Sequence, residues 1–188
     1  MPANIQLSGL EISLINEYGR EVMLKQYIDA ARLNYDYILI DCAPSLSVLT
    51  VNALVASDSV LIPTQPQYFS TAGLQMFYET ISKIRKKMNP SLSIEGVLVT
   101  MMNNRPNFTR DLVAQLRETY GNVFKVFDAE IPTSIRMTES SARGKSIFAF
   151  DPKGNVAAAY EKLTREVIEN GRQEKTVQRE LRAVQTAR

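Results

Sequence analysis

The sequence predicts an α/β fold with a mostly parallel, doubly wound sheet, and three observations predict it. Apolar runs short enough for strands alternate with stretches of helical periodicity through the carboxyl two-thirds of the chain. One of them, Tyr37 to Ile40, is continuously apolar, as a strand buried on both faces of a parallel sheet is. The helical stretches between the runs are long enough to serve as crossovers between parallel neighbours.

Taken in order, Pro2 to Gly9 has loop character, and Glu17–Leu33 reads as a helix with Leu24, Tyr27, Ile28 and Ala31 inward. No strand precedes that helix, whereas a doubly wound sheet ordinarily begins with one, so the chain reads as opening inside a domain. Tyr37–Asp41 is a predicted strand, Ser45–Val55 a short helix and Ser59–Pro63 a second strand. Ser70–Met88 carries Leu74, Phe77, Ile81, Ile84 and Met88 on one stripe of a longer helix. Ile94–Met102 is the most strand-like run of all. Thr109–Tyr120 is a helix with Leu112, Val113 and Leu116 inward, stopped by Gly121, and Val123–Ile131 is another strand. Val156, Tyr160, Leu163 and Val167 mark the last core helix, which Gly171 is expected to stop. Beyond it, Arg172, Lys175, Arg179, Arg182 and Arg188 face only Glu174 and Glu180, a basic tail that is helical or flexible. A solvated helix extension and a contact for a partner or nucleic acid both fit that tail.

Composition narrows the chemistry. The 188 residues, 45% of them hydrophobic, can bury one ordinary core. There is no histidine, which removes Ser-His-Asp and Cys-His catalysis and most zinc sites. Cys42 is the single cysteine, so no internal disulfide forms, and a reducing cytoplasm fits best. Met1 to Leu14 lacks the basic start and apolar block of a signal peptide. No apolar run reaches the ~20 residues of a spanning helix. With a net charge of +2, any affinity for nucleic acid must come from local clusters of cations.

The strand Tyr37–Ile40 ends in Asp41, and Pro44 prevents its continuation. A carboxylate at the carboxyl tip of a buried strand lies where open α/β sheets bind their ligands, and in P-loop nucleotide hydrolases it helps hold Mg²⁺ beside the phosphates. The plainer alternative is an aspartate that caps the helix beginning near Ser45. Cys42 has no histidine to activate it and reads as a buried structural thiol. The run Lys83, Arg85, Lys86 and Lys87 reads as a solvated helix end favoured by the helix dipole.

Six strings stand in one order: Pro2 to Glu11, Tyr35 to Ser45, Asp58 to Tyr68, Leu98 to Met102, Ile131 to Arg136, and Gly144 to Ile147. Together they closely resemble the ParA/Soj partition ATPases, members of the deviant Walker A group that also contains MinD. The resemblance runs from about Pro2 to about Val167. It implies that residues 1–170 are the carboxyl part of a ParA-type nucleotide-binding domain, with 171–188 as a basic tail. The family's first strand, its glycine-rich phosphate loop with two lysines, and the switch aspartate that follows have no counterpart in this sequence. Gly144-Lys145-Ser146 has Glu139 where a phosphate loop needs its first glycine, and no strand leads into it, so it is not that loop. The chain therefore looks like the later part of a partition ATPase without its phosphate cradle.

The resemblance also implies roles for single residues. Asp41 matches the aspartate that positions Mg²⁺ through water, the catalytic and metal-binding position. Cys42, Ala43, Pro44 and Ser45 match the switch that senses the γ-phosphate of ATP. Pro132 and Ser134 match the loop along the adenine edge, with Met102 and Asn103 on the same rim. Arg105 and Arg136 match the positions that touch DNA without reading its sequence, and Arg110, Arg117, Arg143 and Lys145 extend the same stripe. The function implied is partition of a chromosome or plasmid: ATP-dependent dimerisation, non-specific DNA binding, and hydrolysis stimulated by a ParB-like partner. A cytoplasmic, nucleoid-associated location without membrane attachment goes with it. The alternative is a non-catalytic module that keeps self-association and partner contacts only. A MinD-like membrane positioner is disfavoured, because the tail has only Val177, Leu181 and Val184 as spaced aliphatics and no bulky aromatic face.

Overall fold

A computed structural model describes residues 6–43, 45–66, 71–102 and 106–186. They fall into two compact units, one drawn from Met1–Val60 and Thr71–Ser93, the other from Leu61–Ser70 and Ile94–Arg188.

The first unit is helical. It holds α1 (Gln6–Ser13), a 3-10 turn at Leu14–Asn16, α2 (Met23–Ala31), α3 (Val48–Ala56) and α4 (Thr71–Lys87). Helix α3 is its centre: Ala53, Leu54, Val55 and Ala56 are buried, as are Ile81 and Ile84 of α4 and the following Leu92. Two buried amides close the ends of these helices. The Asn52 Oδ1 accepts from the Leu24 amide at 3.1 Å, satisfying a first-turn donor of α2, while its Nδ2 donates to the Arg20 and Val48 carbonyls at 2.5 and 2.9 Å. The Asn89 Nδ2 donates to the Leu54 and Ser57 carbonyls, at 3.0 and 2.7 Å, where α3 ends.

The sheet runs in the order β1 (Ser59–Thr64), β2 (Ser93–Met102), β3 (Val126–Pro132), and its residues from Leu61 and from Ile94 onward belong to the second unit. Strands β2 and β3 are parallel, with Val97 opposite Val126 and Met102 opposite Pro132. Helix α5 (Pro106–Tyr120) connects them, as a parallel pair requires. Then follow α6 (Ile135–Ala142), α7 (Ile147–Phe150) and the long α8 (Asn155–Thr186). Leu98, Phe127, Ala129, Ile131, Ile147, Val156 and Ala157 form one buried cluster, covered by Tyr160, Leu163 and Val167 of α8. The α/β class and the parallel crossover agree with the sequence reading.

Four expectations are corrected. Tyr37–Asp41 has no regular secondary structure and pairs with no strand among the described residues: Tyr37 is 69% and Leu39 96% exposed, so the apolar run has no sheet to bury it. The described part of the expected amino-terminal loop, from Gln6, is helical. Glu17–Leu33 shrinks to Met23–Ala31, because a turn closed by the Val22 amide on the Gly19 carbonyl (3.1 Å) precedes it. Gly171 does not stop the last helix. It lies inside α8 with no positive φ, and one interior glycine costs a helix only ~1 kcal/mol. Among the described residues no helix is long and apolar enough to cross a membrane.

Candidate nucleotide edge and nucleic-acid interface

The expected site residues divide between the units. Asp41, Cys42, Ala43 and Ser45 belong to the first; Met102, Pro132, Ser134 and Arg136 belong to the second. Pro44, Asn103 and Arg105 lie outside the described residues.

Asp41 is exposed after Ile40 in a segment without regular secondary structure, so it does not sit at the tip of a sheet strand among the described residues. Nor does it cap α3. That role belongs to Ser47, whose Oγ accepts from the Leu49 amide at 3.2 Å. Ser45 stays near the helix start through its carbonyl, which accepts from the Thr50 hydroxyl at 2.6 Å, and its amide donates to the Ala43 carbonyl at 2.8 Å. Cys42 is exposed, not buried as the sequence suggested. Its sulfur is nonetheless partly shielded and lies 3.7 Å from the Ile40 carbonyl. Desolvation first, and then the adjacent Asp41 carboxylate, raise the thiol above its ordinary value, the opposite of an activated nucleophile.

The nucleotide-edge residues converge better. Met102 and Pro132 are opposite partners at the carboxyl ends of β2 and β3, where open α/β sheets place their ligands. The Thr133 amide donates to the Met102 carbonyl at 3.0 Å and holds the two strand ends together. Met101, just before the rim, adopts φ 55°, a conformation side-chain-bearing residues seldom take outside functional or tightly constrained sites. Ser134 is the N-cap of α6 in extended conformation, yet its hydroxyl makes no capping hydrogen bond. These positions make a polar and apolar rim suited to the edge of a base.

The fit to Mg-ATP is partial. Among the described residues no three acidic or thiol groups gather as a metal site, and one exposed carboxylate can serve Mg²⁺ only as a water-mediated partner of phosphates. The 188 residues contain no phosphate-binding loop. The rim at Met102 and Pro132 and one exposed carboxylate are present without a phosphate-binding loop in the sequence.

Arg136 opens α6 with its side chain 64% exposed, paired with Glu139 one turn on at 3.2 Å. Its guanidinium lies 5.9 Å from the centre of the Phe150 ring, and that of Arg143 lies 5.2 Å from the same ring. The turn between α6 and α7 sets this up. The Lys145 amide donates to the Ser140 carbonyl and the Gly144 amide to the Ser141 carbonyl, both at 3.0 Å, with Gly144 at φ 62°. That is a Schellman cap, for which glycine is the least strained residue, and it is what the Gly-Lys-Ser string builds in place of a phosphate loop. Ser146 then caps α7, and the buried Ile147 anchors it. Phe150 was not singled out from sequence, since only this turn brings it to both arginines.

Arg117 is a correction. Its guanidinium donates to the Val126 and Phe127 carbonyls (3.1 and 2.8 Å) and pairs with Asp128 (3.2 Å) and Glu130 (3.8 Å), so it secures β3 and is not part of a free basic stripe. Lys83, Arg85, Lys86 and Lys87 are exposed at the end of α4, as the sequence suggested.

A family model described as an AAA domain matches residues 1–94. The sporulation initiation inhibitor protein Soj of Bacillus subtilis is 43% identical over 171 residues, which cover 91% of this chain and 67% of that protein. The chromosome partitioning protein ParA of Caulobacter vibrioides is 41% identical over 174 residues, 92% of this chain and 64% of its own length. Among solved structures, the cobyrinic acid a,c-diamide synthase of Mycobacterium smegmatis with bound ADP and magnesium matches with a TM-score of 0.65 and 35% identity, over 71% of this chain and 53% of that one. The chain spans from 52% to 67% of the length of the curated relatives it matches.

Proposed function

The chain belongs to the ParA/Soj family of partition ATPases, and on that premise we propose that it is the DNA-facing and base-edge part of a chromosome or plasmid partition protein. Arg105 and Arg136 contact DNA phosphates without reading sequence. Met102, Asn103, Pro132 and Ser134 line the edge of an adenine. Asp41 holds Mg²⁺ through water, and Cys42, Ala43, Pro44 and Ser45 form the adjoining switch. ATP would supply the phosphoanhydride in the whole family protein, and the residues named here would bind its base and magnesium. Self-association and a ParB-like stimulating partner complete the reading, with a cytoplasmic, nucleoid-associated location and no membrane attachment. Residues 1–170 act as the carboxyl part of a ParA-type nucleotide-binding domain and 171–188 as its basic tail.

The observation that carries the DNA half is Arg136, exposed at the amino end of α6 and directly after the rim. Its pair with Glu139 is a surface contact of little strength, so a phosphate can replace it. The test is binding of two unrelated duplexes across a salt series. Both should bind alike, and replacing Arg105 and Arg136 together by Ala should flatten the slope of log affinity against log salt by about two. An unchanged slope would remove both arginines from the interface.

A second reading is favoured by the exposed apolar run at Tyr35, Tyr37 and Leu39: a non-catalytic module that works by association alone. It predicts assembly without any salt-sensitive DNA binding.

A further inference from the structure

We propose that Arg136 and Arg143, gathered on the ring of Phe150, act together as one clamp for neighbouring phosphates of a DNA strand, with Phe150 the residue that positions both. The inference rests on the DNA-binding reading above and adds to it a second arginine and a positioning residue.

Both guanidinium carbons lie within 5.9 Å of one ring centroid, so a single half-buried side chain fixes where two charges stand. A guanidinium stacked on an aromatic face keeps its planar fork free for phosphate oxygens, and less side-chain freedom is lost on binding. Arg143 is exposed and forms no ion pair with a carboxylate among the described residues. Its backbone is held as well: as the C-cap of α6, its amide donates to the Glu139 carbonyl at 3.1 Å and the Ser140 carbonyl at 3.2 Å. The buried Ser140 before the cap and the buried Ile147 after it tie the turn to the second unit. Lys145, exposed two residues past Arg143, adds a third positive charge to the same turn. Glu139 is paired with Arg136, and no other ion pair with an acid is found here among the described residues.

The test uses the full chain and a labelled mixed-sequence DNA duplex, with binding read by fluorescence anisotropy from low to moderate salt. Arg143→Gln should lower the salt slope by about 0.9, one phosphate contact, as should Arg136→Gln. Phe150→Leu should weaken binding several-fold in the parent chain and have no further effect once both arginines are glutamine. A ring that merely stabilised the fold would weaken binding equally in both backgrounds, which would overturn its positioning role. Phe150→Tyr, which keeps the aromatic face, should bind like the parent. If Arg136→Gln lowers the slope and Arg143→Gln does not, the clamp is wrong while the DNA-binding reading stands. If the parent chain binds no duplex at low salt, the reading fails and the clamp fails with it.

Discussion

Asn52 decides where α2 begins, although it lies on another helix. Its side chain takes the Leu24 amide and gives to the Arg20 carbonyl, so an isosteric leucine would leave both partly buried groups without this partner. Asn52→Leu should therefore cost about 1–3 kcal/mol, read as a lower urea midpoint; an unchanged midpoint would mean that water or another residue takes over the cap. Single residues were unevenly legible in the sequence. Met102 and Pro132 were placed on one rim by the family resemblance, and the parallel register sets them opposite each other. Arg117 read as a surface cation, yet it is bound to carbonyls nine and ten residues away, a pairing that exists only after α5 folds back on β3. Cys42 read as a buried structural thiol because no histidine can activate it, whereas a segment outside any helix or strand leaves it exposed.

At the level of elements, periodicity gave the helices and strands well wherever packing agrees with it. The stripe on α4 and the strand β2 are examples, since burying Ile81, Ile84, Val97 and Val99 rewards the pattern the sequence carries. Gly171 shows the limit of local punctuation. A glycine that ends a helix takes a left-handed conformation, in which alanine is strained, whereas a glycine inside one is improved by alanine. Gly171→Ala should therefore raise stability by about 0.5–1 kcal/mol, and no atom outside the helix backbone lies near enough to obstruct the added carbon. A loss of similar size would show that the helix ends there in solution. The segment Tyr35 to Ile40 makes a different prediction. It exposes Tyr35, Tyr37 and Leu39 on a backbone that pairs with no strand among the described residues, an apolar surface open to another chain, so the protein should self-associate. Light scattering should give a mass that rises with concentration and falls back with Leu39→Lys. A constant monomer mass would contradict it. In the second unit, α8 takes the backbone groups of Asp128 in β3: Lys162 donates to the Asp128 carbonyl at 2.6 Å and the Asp128 amide donates to Glu166 at 2.9 Å.

For the molecule as a whole, the α/β class was legible because alternation of strand and helix is written locally, while the division into two units and the location of each functional residue were not. Relationship to Soj and ParA supplies the family, and we assign the chain's own residues their proposed parts in it: a rim for a base, arginines for phosphates, and one carboxylate for magnesium. The central claim is that these 188 residues hold the DNA-facing part of a partition ATPase without a cradle for the triphosphate. Phosphate release from Mg-ATP by the purified chain, measured with and without duplex DNA, tests it most directly. The account predicts no release above background under either condition, with DNA binding that is salt-dependent and indifferent to ATP. Turnover that is abolished by Asp41→Ala would contradict it.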